Sequence, residues 1–159
     1  MKTIVTLVDL SELAFEVLQQ ASRFAKAFNC EVVVLHVVPK EPVVPDMSPL
    51  SPVRMRKPSQ EALDSHHARL ISMTDVLVRS GVHSSVRQMA GATSEEVLAE
   101  TRSLQPDLII VGAHPHGTFY HLLIGTLVDD VLKDAPCPVV VVPEHAASQS
   151  HLTTQPASP

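Results

Sequence analysis

The sequence predicts an α/β fold: one domain built on an open parallel sheet of five strands, with helices on both faces. Three observations carry this. Short apolar runs alternate with longer segments of helical period, which implies parallel pairing through right-handed crossovers. The apolar runs are nearly continuous, as strands covered on both faces must be. The core material is aliphatic, because 45% of the 159 residues are hydrophobic but only 3% are aromatic. Val, Leu, Ile and Ala must therefore fill the interior, and a chain of this length suits a single domain.

Taken in order, Ile4 to Val8 reads as a buried first strand ending at Asp9. Ser11 is the N-cap candidate for a helix whose apolar face runs Ala14, Val17, Leu18, Ala21, Phe24, Ala25 and Phe28. Glu16, Gln20, Arg23 and Lys26 are left for water. Glu31 to Val38, rich in β-branched residues, is the second strand. Six prolines between Pro39 and Pro58 exclude a helix there and leave a long excursion. Its cluster Arg54, Arg56 and Lys57 either reaches an anion or stays solvated.

A helix follows from about Ser59 to Ser80, with Leu63, His67, Leu70, Thr74, Leu77 and Val78 on one face and Gly81 as its stop. His66 and His67 divide between that face and its edge. Val82 to Met89 forms a third strand. Thr93-Ser94-Glu95-Glu96 has the form of a capping box, opening a helix that carries Val97, Leu98, Thr101 and Leu104 and stops before Pro106. Asp107 to Val111 is the fourth strand, which ends at Gly112 and gives way to a small-residue loop, the pair Gly125-Thr126 and a helix to Asp134. Val139 to Val142 is the fifth strand. The domain closes at Pro143, and the tail 144–159, rich in Ser, Thr, Ala and Pro, is expected to be disordered.

The formal net charge of −5 argues against a general electrostatic grip on nucleic acid or anionic lipid. Cys30 and Cys137 lie far apart without metal or redox spacing, which reads as free thiols in a reducing compartment. Asp9 interrupts the N-terminal apolar run too early for a signal peptide, and no stretch approaches the ~20 apolar residues of a membrane span. The expected location is the cytoplasm.

A buried strand that breaks at a glycine and feeds a helix is a frame for phosphate, since backbone N–H groups at the helix start face the anion. The loop after the fourth strand has neither the ending of a Walker loop nor a G-x-G-x-x-G pattern. It resembles instead the loop of universal stress protein domains, which runs Gly, two residues, Gly, nine residues, then Gly-Ser or Gly-Thr. Gly112 and Gly125-Thr126 occupy the first and last positions at the matching separation, and Pro115 stands at the middle one. Val8-Asp9-x-Ser11, Leu35-His36-Val37-Val38 and Ala135 to Pro143 match further parts of the family pattern, over Met1 to Pro143 in all. The resemblance implies a Rossmann-like sheet in the strand order 3-2-1-4-5, similar to adenine-nucleotide alpha-hydrolase-like domains.

The same resemblance implies ATP, alone or with magnesium, as the ligand of the crevice between the first and fourth strands. Asp9 and Val37 would serve the nucleoside, and Gly112, Gly125 and Thr126 the phosphates, with His114, His116 and Gly117 as further candidates. Two other readings of the residues stand beside it. Asp9 can cap the first helix, and Gly112 and Gly125 can be small for packing alone. Pro115 has no N–H and fixes φ near −65°, so it reshapes or closes the loop unless Gly117 restores its freedom.

His36, His114, His116 and His121 raise a metal alternative, but the spacing supplies no Cys or acidic ligand to complete a zinc site. No nucleophile and base pair off, so the chain is read as non-catalytic, with weak ATP hydrolysis as a competitor. The resemblance also implies a homodimer in which Val139, Val140, Val141 and Val142 pair with their two-fold mates. The expected role is a stress-response nucleotide-binding module. A member that has lost the nucleotide and acts through protein contacts is the alternative.

Overall fold

The computed structural model describes residues 1–43, 54–113 and 121–144, the last segment with side chains from residue 127 onward. Its centre is a parallel sheet of β1 (Thr3–Val8), β2 (Glu31–Val38), β5 (Ser84–Ala90), β6 (Leu108–Ala113) and β7 (Val139–Pro143), ordered β5-β2-β1-β6-β7. Counting these five alone, the order is 3-2-1-4-5, as expected. β3 (Glu41–Val43) and β4 (Arg54–Arg56) pair antiparallel in a separate ribbon. That ribbon lies inside the proline-rich excursion, where no strand was expected. Its Arg56 forks onto Glu41 at 2.8 and 3.0 Å, so this member of the basic cluster is already matched to a carboxylate.

Alternation along each strand sends side chains to two separate cores. Ile4, Val32, Val34, Leu108 and Ile110 pack against α1 (Glu12–Phe28) and α2 (Gln60–Arg79). Val5, Leu7, Val33, Leu35, Ile109 and Val111 pack against α3 (Ser94–Ser103) and α4 (His121–Asp134). The sheet is therefore the middle of three layers. No helix among the described residues is long and apolar enough to cross a membrane.

The expected capping box at α3 is present, with Thr93 and Glu96 bonding reciprocally. Two helical faces differ from the expectation. Phe28 is 52% exposed, because the last turn of α1 reaches the rim of the sheet and Phe28 stacks on Phe24 instead. On α2 the buried residues are Leu70, Met73, Thr74 and Leu77, while His67 and Val78 face outward. The seam 66, 70, 73, 77 sits about one residue from the stripe read off the sequence. Both cysteines are free, and partial burial pushes both thiols up in pKa, away from the reactive thiolate.

Candidate functional site

Chain direction reverses between β1 and β6: β2 and β5 lie to one side of β1, β6 and β7 to the other. Such a switch point opens a crevice at the carboxyl ends of the strands. A cavity of about 100 Å³ lies there, and Asp9, Val37 and Gly112 all line it. Three residues far apart in sequence thus meet because three parallel strands end together. The walls are aliphatic, with Leu13, Val17, Leu35, Val97, Val111 and Leu127 among them, and the polar side chains that line it are few: Asp9, His36, His66 and Ser94. An apolar slot with a few placed polar groups suits a flat heterocycle.

Asp9 closes β1 and turns the chain into α1. Its Oδ1 accepts from the Ser11 N–H at 3.0 Å and also from the Ser11 hydroxyl. One carboxylate oxygen therefore serves the start of α1, the capping role open to it from sequence. Ser11 is the N-cap residue, but its hydroxyl donates back to Asp9 instead of capping a helix N–H. Leu10 between them has φ +64°, a left-handed conformation costing a leucine about 1–2 kcal/mol. Burial of its side chain and a 3.3 Å bond from Arg69 Nη2 to its carbonyl offset that strain.

Gly112 lies inside β6, pairing with Val142, and the strand continues to Ala113; it does not end the strand. A Cβ at this position would stand 2.7 Å from Leu13 Cδ2 and 2.9 Å from Leu13 Cγ. The glycine is thus required by the close passage of α1 over β6, and it lines the cavity as well. Gly125 and Thr126 fall within α4, whose backbone is helical from His121, so they do not precede the helix as expected. Leu127 and Val128, the next two residues, line the cavity. His114, Pro115, His116 and Gly117 lie outside the described residues, as do the tail residues beyond Glu144. Val139 to Val142 form the sheet-edge strand and take no part in lining the cavity.

The polar lining of the cavity includes a pair that the sequence reading did not assemble. His36, only 3% exposed, places Nδ1 2.8 Å from the Val8 carbonyl oxygen. Its Nε2 is 2.9 Å from Nδ1 of His66 on α2, and the two rings stack with centroids 5.2 Å apart. Two nitrogens ligating one tetrahedral zinc at about 2.0–2.1 Å would stand roughly 3.3 Å apart, so 2.9 Å is hydrogen-bond geometry. Burial pushes the His36 pKa down, and the nearby His66 and Arg69 act in the same direction. Burial lowers that of His66 as well, followed by the Arg69 guanidinium. Both rings therefore favour the neutral form. The sequence carried a partial signal for His66: it lies four residues before Leu70, but His67 lies three before it, and the observed seam through Met73 is what separates them.

The family model described as the Universal stress protein family matches residues 1–143. A universal stress protein of Methanocaldococcus jannaschii is 27% identical over 145 residues, covering 89% of this chain and 81% of its own. Among solved structures, the chain is similar to a universal stress protein from Archaeoglobus fulgidus in complex with dAMP, at TM-score 0.64 and 17% identity. That match covers 89% of this chain and 97% of the other. It is also similar to a universal stress protein family protein from Arabidopsis thaliana with AMP bound, at TM-score 0.59 and 18% identity, covering 92% and 94%.

Proposed function

The chain belongs to the universal stress protein family, and from that premise we propose that it binds an adenine nucleotide, ATP or a product of it, without turnover in the crevice between β1 and β6. The observation that carries this reading is the convergence of Asp9, Val37 and Gly112 on one apolar cavity. The adenine ring occupies the aliphatic slot, Asp9 and the backbone at Val37 meet the nucleoside, and the phosphates extend past Gly112 towards the segment that ends at Gly125-Thr126. dAMP and AMP in two proteins of similar fold support the adenine base. A protein that binds and does not turn over its nucleotide reports the nucleotide level, and a homodimer joined through β7 presents that report to partners.

One second reading has its own observation. Pro115 removes an N–H from the loop, and one oxygen of Asp9 is engaged by Ser11. Both favour a member that has lost the nucleotide and acts through protein contacts. Calorimetric titration of ATP with magnesium, and of AMP, into the unmodified protein and a Pro115→Gly variant separates the two. Dissociation constants on the order of micromolar, about −8 kcal/mol, for the unmodified protein support the nucleotide reading. Binding by the variant alone assigns the loss to Pro115, and silence from both overturns nucleotide binding. Phosphate release during the same incubation would overturn the non-catalytic part.

A further inference from the structure

With both rings neutral, the histidine pair that lines the cavity has only one consistent proton arrangement. A carbonyl oxygen only accepts, so the His36 nitrogen facing Val8 must be N–H. Burial to 3% exposure keeps the ring neutral, which leaves Nε2 as a bare acceptor. Two bare nitrogens 2.9 Å apart would repel, so His66 must carry its proton on Nδ1. The neutral His66 ring then has a bare Nε2, which meets no hydrogen-bond partner among the described residues. His66 lines the cavity beside Asp9, Val37 and Pro39.

We propose that His66, locked by His36 as its Nδ1–H tautomer, is a specificity-determining residue that accepts a hydrogen bond from the exocyclic amine of a 6-aminopurine and rejects a 6-oxopurine. This rests on nucleotide binding in the crevice. Asp9, also an acceptor, lines the same cavity, so two of its polar groups ask the ligand for donors. Adenine presents an N6 amine there, whereas guanine and hypoxanthine present an O6 acceptor. An O6 facing a bare nitrogen leaves two desolvated acceptors opposed, and a site built to pair with an N–H discriminates strongly against the analogue lacking it. His36 is the positioning residue: it touches no ligand in this scheme but fixes which nitrogen of His66 is bare.

The test compares AMP with IMP, which differ at the 6-position, by calorimetry on the full-length protein. AMP should bind at least about tenfold more tightly than IMP. In His66→Asn the amide nitrogen can stand where Nδ1 stood and keep the bond to His36, but nothing reaches the Nε2 position. That variant should lose the AMP advantage, binding AMP more weakly and IMP no more weakly than the unmodified protein does. His66→Gln, whose amide oxygen reaches the Nε2 position, should retain the preference. Nitrogen-15 correlation spectra of the ligand-free protein should show His66 as the Nδ1–H tautomer. Equal binding of AMP and IMP, a preference that survives in His66→Asn, or an Nε2–H tautomer would each overturn the assignment while leaving nucleotide binding standing. If neither nucleotide binds any of the three proteins, the nucleotide reading fails and this assignment fails with it.

Discussion

Burying a histidine between a backbone carbonyl and a second imidazole couples this fold to protons. The folded protein holds His36 with a pKa below its ordinary value of 6.5, while the unfolded chain keeps the ordinary one. Between those two values the unfolded state binds more protons, so stability rises with pH and is lost as pH falls below about 6.5. Burial is the largest influence on His36 and disfavours the charged ring; His66 and Arg69 from α2 act with it, while the Val8 carbonyl and Asp9 at the end of β1 favour the charged ring without outweighing it. Urea unfolding should therefore show stability falling between pH 6.5 and 5, at up to about 1.4 kcal/mol per pH unit for His36. His36→Gln should flatten that slope while lowering stability at pH 8, since the buried contacts are lost at any pH. The carboxylates held below their ordinary values, Glu41, Glu96 and Asp107, act in a separate window near and below pH 4.5. A stability profile level from pH 8 to 5 would contradict the neutral assignment of His36. The sequence shows a histidine in a strand predicted to be buried, which demands a partner; only the register of α2 reveals that the partner is His66.

Between elements, the tightest constraint near the site is where α1 passes over β6. Gly112 follows an apolar run and precedes a loop, so local sequence reads it as the glycine that ends a strand. In the structure it stays within the ladder, and the lack of a side chain makes room for Leu13. Local pattern cannot tell these apart, because both place a glycine at a strand's carboxyl end. Leu13 is 3% exposed and sits among core residues, so it has little room to give. Gly112→Ala should therefore destabilise by about 1–3 kcal/mol through overpacking, read as a lower urea midpoint at pH 8. It should also narrow the cavity, since Gly112 and Leu13 both line it. Unchanged stability would mean that α1 shifts freely over the sheet. Where elements obey their own period the sequence was enough: the Thr93 capping box and the eight residues of α1 and α3 expected inward and found there, from Ala14 to Thr101, follow from spacing alone. Phe28 and Val78 departed because burial near a helix end depends on how far the neighbouring layer extends.

For the whole molecule, alternating strands and helices gave the layers, but strand order is written in no local pattern and came from resemblance to a family. That order leaves β7 at the edge, and an apolar edge strand is a pairing hazard unless something covers it. Its register says which groups face outward. The Glu144 N–H donates to Ala113 and Pro138 accepts from the Ile109 N–H, so the even-numbered residues address β6. Val141, between them, directs its N–H and C=O away from β6, and its side chain is 39% exposed. A second β7 docking across a two-fold axis would use these groups and cover this side chain. Val141→Pro removes the outward donor while leaving the bonds to β6, a substitution that an edge strand tolerates. Sedimentation should then find the unmodified protein at twice its 17.2 kDa chain mass and the variant shifted to the single chain. A monomeric unmodified protein, or a variant that remains a dimer, would rule out pairing through this edge. In the first case the valines of β7 need another cover.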